Sequence, residues 1–138
     1  MTIHPTALAD QAAAASTEAR RTLRRLAATG HARLTVTPSP WLAEQTTTLT
    51  ARLLTGPVRS CPHIGVSPRM VHAAVWTPGL LACPACVHLL TPTPDEDHRC
   101  DRCRRPARPL HLGTAAIGPI LLAYGLCTPC QHAAGLAP

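Results

Sequence analysis

The chain has 138 residues, a formal charge of +6 and seven cysteines, with one tyrosine, two tryptophans and no phenylalanine. That is about one domain's length, and a core limited to Leu, Val, Ile and Ala at this size calls for an added staple. The longest apolar run, Ile117 to Leu126, is far short of the ~18 residues of a membrane span, so no membrane-spanning helix is expected.

In chain order, Met1 to Asp10 lacks a basic segment followed by an apolar stretch, so no secretory leader is expected and a cytoplasmic location is. Thr6 to Thr29 predicts a helix: Leu8, Ala12, Ala15, Ala19, Leu23 and Leu26 recur at steps of three and four, and Gly30 offers a stop. His31 to Thr37 reads as extended, with Leu34 and Val36 alternating. Ser39 and Pro40 then supply a cap and first residue for a second helix over Trp41 to Thr55, closed by Gly56-Pro57. Leu42, Leu49 and Leu53 give it an apolar face, which Thr46, Thr47 and Thr48 weaken through their branched side chains. The simplest use of both segments is a helical hairpin packed on itself or on the cysteine-bearing part of the chain; dimerisation through the Ala-rich stripe competes with it.

From Arg59 the character changes to short strands, prolines and metal-ligand residues. Cys61-Pro-His63 precedes a hairpin, Val71 to Trp76 and Leu80 to Ala82 about Thr77-Pro-Gly79, and Cys83-Pro-Ala-Cys86 follows it with a short helix over Val87 to Leu90. Asp95-Glu-Asp97 reads as an exposed connector. Then Cys100-Asp-Arg-Cys103, a proline- and glycine-rich passage from Arg104 to Gly118, a strand over Ile120 to Leu126, and Cys127-Thr-Pro-Cys130 opening a terminal helix repeat the plan. The expected architecture is α+β: a two-helix region over 1–58, a first metal-binding unit over 59–94 and a second over 95–138.

Six of the seven cysteines lie in C-x-x-C pairs, which suits metal in a reducing compartment better than disulfides. A two-residue gap lets a tight turn aim both sulfurs at one point, and two such pairs complete a thiolate tetrahedron, the coordination zinc prefers. Two zinc ions and seven thiolates would lower the net charge from +6 to roughly +3. The arrangement over Ser60 to Ala134 resembles the treble-clef zinc fingers, in which a knuckle pair and a second pair at a helix start grip one ion. The resemblance implies a first site of Cys61, His63, Cys83 and Cys86 and a second of Cys100, Cys103, Cys127 and Cys130. His72 or His88 could replace His63 as fourth ligand. A cross-braced arrangement, as in RING domains, is the alternative to sequential sites.

Two complete sets of four ligands leave no open metal position, so a catalytic zinc is not expected. No His is followed two residues later by Glu, as the nucleoside-deaminase signature requires. His72 and His132 poorly match the histidine set of HNH nucleases, and Cys83-Pro-Ala-Cys86 lacks the βαβ surroundings of a redox dithiol. An iron–sulfur cluster on the four cysteines would colour the protein.

All thirteen basic side chains are Arg, a composition suggesting a GC-rich bacterial genome such as an actinobacterium's. Arg20, Arg21, Arg24 and Arg25 line one side of the first helix, either as a solvated face or as a phosphate-contacting one. Arg102, Arg104 and Arg105, with Arg99 and Arg108, surround the second knuckle, beside Asp95, Glu96, Asp97 and Asp101 that could pair with them. With so few aromatics for base stacking, duplex DNA contacted through phosphates is the leading expected partner. The alternative is a protein-interaction adaptor or structural subunit using the amphipathic helices. No small-molecule substrate is indicated, and RNA as partner is not separated from DNA.

Overall fold

The computed structural model describes residues 5–29, 39–65 and 67–137. Helix α1, Pro5–Ala28, buries Ala15, Ala19 and Leu23, one residue per turn along a single stripe. Its Ser16 and Thr17 hydroxyls donate back to the carbonyls of Ala12 and Ala13 at 3.0 Å, so these helix-averse residues are satisfied within the helix. The expected stop at Gly30 and the extended 31–37 segment lie outside the described residues. Helix α2, Pro40–Thr55, starts where the Ser39-Pro40 signal places it, and the Gly56 N–H donates to Arg52 O at 2.9 Å at its end.

Three strands form the central sheet: β2 (Val71–Ala74), β4 (His111–Ile117) and β5 (Ile120–Leu126). β5 lies in the middle, antiparallel to β4 and parallel to β2. The β4–β5 hairpin turns at Gly118-Pro119, with Gly118 at φ 55°, a left-handed conformation glycine adopts without steric cost. β5 is buried on both faces because each face carries a helix, which is why its sequence is a continuous apolar run rather than an alternating one. α1 covers Leu121 and Ala116 together with Met70. On the opposite face, Trp41 and Leu42 of α2 pack with Tyr124, Leu126 and Ala115. The helices therefore flank the sheet rather than closing on each other as a hairpin.

Two further differences from the sequence expectation have clear causes. β4 falls in a passage expected to be irregular; its Gly-Thr-Ala-Ala core has no alternation, and the strand exists because seven residues pair in register with β5. The expected hairpin around Pro78-Gly79 is pared to one bridge, where His72 and Ala82 exchange hydrogen bonds of 2.7 and 2.9 Å. The other edge of β3 (Leu80–Leu81) is taken by β1 (Arg59–Ser60), which pairs with it in parallel. Asp95 to Asp97 is also more than a connector: Glu96 begins a 3₁₀ turn to His98 and bonds Arg104. No helix among the described residues is long and apolar enough to cross a membrane.

Ser39 fastens α2 to the C-terminal end of the chain. Its buried hydroxyl donates to Ala134 O at 2.7 Å while accepting from the Leu42 N–H at 3.4 Å. Ser39→Ala removes a helix cap and orphans a buried carbonyl, so a loss of about 2 kcal/mol in a denaturant melt is expected. Ser39→Thr, which keeps the hydroxyl, should recover most of it.

Candidate metal centres

Two groups of four ligand side chains come together, Cys61, His63, Cys83 and Cys86 in one and Cys100, Cys103, Cys127 and Cys130 in the other. Within each group all four ligand atoms lie within 4.8 Å of one another. Each draws its members from two consecutive ligand pairs, the sequential grouping rather than the cross-braced one. No other such group occurs among the described residues.

The first group is set by the β1–β3 pairing. The Cys61 N–H donates to Leu81 O at 3.2 Å, which holds the end of β1 beside the residues leading to Cys83. Cys83 caps a 3₁₀ helix, Pro84–Leu90, whose first turn returns Cys86 to the same point. The Cys83 N–H donates to Cys61 Sγ at 3.3 Å, and His63 Nδ1 lies 3.2 Å from Cys86 Sγ and 3.6 Å from Cys83 Sγ. The cysteines are buried among Ala74, Ala82 and Leu90, whereas His63 is exposed at the rim. Trp76 Nε1 donates to Leu90 O at 2.7 Å and closes the far end. The Cys83 backbone N–H is the main cause that brings the Cys61 thiol down to about 6. Burial, reinforced by Cys83 and Cys61, pushes Cys86 up to about 11.

The second group joins a knuckle to a helix start. In the knuckle, Arg104 N donates to Cys100 O at 2.9 Å, and Arg104 takes the left-handed φ of 63°. Asp101 locks the turn to β5: its N–H donates to Gly125 O at 2.9 Å and its Oδ2 accepts from Gly125 N at 2.7 Å. Burial pushes the Asp101 carboxyl up to about 6 despite that hydrogen bond and Arg104 nearby. Cys127 caps helix α3, Thr128–Ala133, and Cys130 occupies its first turn. Cys103, the most exposed of the four, has its sulfur 3.9 Å from that of Cys127. Burial raises Cys127 to about 12. Burial acts in the same direction on Cys100, but the backbone N–H groups of Cys103, Cys127 and Arg102 outweigh it and bring that thiol to about 7.

The donor chemistry and spacing fit zinc. With Zn–S near 2.3 Å and Zn–N near 2.05 Å, a tetrahedral ion separates two sulfurs by about 3.8 Å and a sulfur from an imidazole nitrogen by about 3.6 Å. The Cys103–Cys127 and His63–Cys83 separations of 3.9 and 3.6 Å match, while His63 and Cys86, at 3.2 Å, stand closer than a bound ion would leave them. The alternative ligands are elsewhere: His72 is half-buried on β2, where burial lowers its pKa, and His88 is exposed on the 3₁₀ helix. His111 meets Thr128 Oγ1 at 2.9 Å.

The two arginine groups have different surroundings. Arg20, Arg21, Arg24 and Arg25 are exposed on α1, away from the Ala15–Ala19–Leu23 stripe. Among the described residues, their polar contacts are Arg20 to Thr17 Oγ1 at 3.3 Å and Arg25 to Thr22 Oγ1 at 3.1 Å, with no carboxylate partner. Around the knuckle, Arg104 pairs with Glu96 at 2.7 Å and Asp101 at 3.6 Å, and Arg99 donates to Arg104 O at 2.7 Å. Arg102 Nη1 lies 3.5 Å from Cys130 Sγ. Arg105 and Arg108 are exposed, with no ion pair among the described residues. The contacts of Asp101 with Gly125 and of Arg102 with Cys130 were not readable from sequence, since neither has a distinguishing spacing.

Comparison with known proteins finds no matching family model, no similar curated protein and no similar solved structure.

Proposed function

We propose that the chain is a non-catalytic two-zinc protein of treble-clef-like plan that binds duplex nucleic acid, DNA in the first instance, through the arginine face of α1. The observation that carries this is the set of four exposed arginines without a carboxylate partner among the described residues, on a helix whose other side is anchored to the sheet. A rigid helix keeps these guanidinium groups within two turns of each other, and guanidinium suits phosphate bidentately. The order of knuckle, strands and helix-borne ligand pair in each half supports the treble-clef comparison. With all four tetrahedral positions filled by protein, neither zinc has a place for a reacting water, which supports a scaffold rather than an enzyme.

Salt dependence tests the duplex contact. Four neutralised phosphates give a slope of log K against log salt of about −3.6, and Arg24→Ala should bring it to about −2.7. Binding indifferent both to salt and to Arg24→Ala would remove this function.

A protein-interaction role is favoured by a different observation. Leu54 and Leu112 are 79% and 73% exposed, and an apolar groove of about 240 Å³ runs between α2 and the 74–79 turn, lined by Leu49, Val75 and Leu122. Duplex binding by a strict monomer would argue against that role.

A further inference from the structure

We infer that Arg102 belongs to the second metal centre, where it holds the Cys130 thiolate from outside and offsets the excess charge of a four-cysteine set, rather than to a phosphate-contacting surface. Four thiolates around a dication leave a net charge of −2, whereas three thiolates and a neutral imidazole leave −1. Among the described residues, a guanidinium meets a ligand sulfur only at the more negative site, with Arg102 Nη1 3.5 Å from Cys130 Sγ.

The placement follows from the local fold. Asp101 is bonded to Gly125 through both backbone and side chain, so the backbone on one side of Arg102 is fixed to β5, while Cys103 on the other is a ligand. From that position the Arg102 side chain crosses from the knuckle to the first turn of α3, where Cys130 is buried. The guanidinium thereby bridges the two halves of the ligand set without occupying a coordination position. Partners of this kind orient ligands and tune the ion, and losing one commonly costs 10- to 100-fold in metal affinity. This inference does not rest on nucleic-acid binding; it withdraws Arg102 from the groups available to phosphate.

The test uses the full chain loaded with zinc or with cobalt(II), and the variants Arg102→Ala, Arg102→Lys and Arg105→Ala. In chelator competition, Arg102→Ala should weaken one of the two zinc sites by about 10- to 100-fold and leave the other unchanged. Its sulfur-to-cobalt charge-transfer band should move to longer wavelength, because a thiolate stripped of an N–H donor holds its lone pairs less tightly. A merely structural role would not move that band. Arg102→Lys keeps the charge without the planar fork and should recover part of the affinity; Arg105→Ala should match the wild type in both measurements. Wild-type affinity and band position in Arg102→Ala would overturn the assignment, as would an equal loss in Arg105→Ala. A duplex-binding salt slope reduced by about 0.9 in Arg102→Ala with zinc affinity intact would give the residue to phosphate instead.

Discussion

Removing metal with excess chelator is expected to unfold most of the chain, and Cys127→Ser alone should abolish its cooperative melting. The expectation follows from what the core is made of. Of the four largest fully buried side chains, Leu121, Leu126, Cys83 and Cys100, two are ligand cysteines. Without an ion these sulfurs are small, weakly cohesive core residues facing one another. With it, a structural zinc site contributes on the order of 10–16 kcal/mol of apparent binding free energy, which becomes folding free energy. Native mass spectrometry should show two added zinc ions per chain, and far-UV circular dichroism should follow their loss. A Cys127→Ser protein that retained two ions and a cooperative melt would contradict this account.

Protons provide a second measure of the same event. With metal removed the chain unfolds, and at pH 7 an unfolded chain holds its cysteines mostly as thiols, since an ordinary thiol titrates at about 8.5. Each ligand cysteine must then release its proton to bind metal. The metal-bound state therefore binds fewer protons than the metal-free one, and acid weakens binding. Calorimetry in buffers of different ionisation enthalpy measures the released protons directly; a count near zero at pH 7 would contradict thiolate ligation.

Gly113→Ala is expected to be the most damaging small substitution outside the ligands. A Cβ at Gly113 would stand 2.4 Å from Tyr124 Cζ and 2.5 Å from its Oη. The ring lies across Gly113 as its cross-strand neighbour, a position only a residue without a side chain leaves open. It has little room to retreat, because Tyr124 is buried and its ring meets Trp41 edge-on, 5.5 Å between centroids at 74°. The forced shift should cost about 3 kcal/mol and roughly 10 °C in Tm. In a Tyr124→Ala background the same substitution should cost less than about 0.5 kcal/mol, since the clash is then absent. An equal cost in both backgrounds would place the strain somewhere other than the ring.

What was legible in the sequence and what was not divides along physical lines. Local signals were readable: the apolar stripe of α1, the Ser39-Pro40 start and Gly56-Pro57 stop of α2, and C-x-x-C spacings that bring sulfurs together whatever the rest of the chain does. β4 was hidden because Gly113 to Ala116 carries no alternation, and its pairing is imposed by β5. β1 and β3 are two residues each, too short for any periodicity. At the second centre, sequence proximity suggested that acidic residues could engage the knuckle arginines. It did not reveal that Arg104 would take both Glu96 and Asp101 while Arg102 turned to a sulfur.

The parallel ladder between β2 and β5 sets the smallest piece of this molecule that can stand alone. Val71 to Ala74 register against Ile120 to Ala123, a seam between stretches that carry different ligand sets. A cut near residue 94 would give the second half a bare β5 edge with unpaired backbone groups, an invitation to sticky self-association. The same seam gives the two ligand sets a common mechanical frame, since β5 runs directly into Cys127 while β2 lies between the two ligand pairs of the first set.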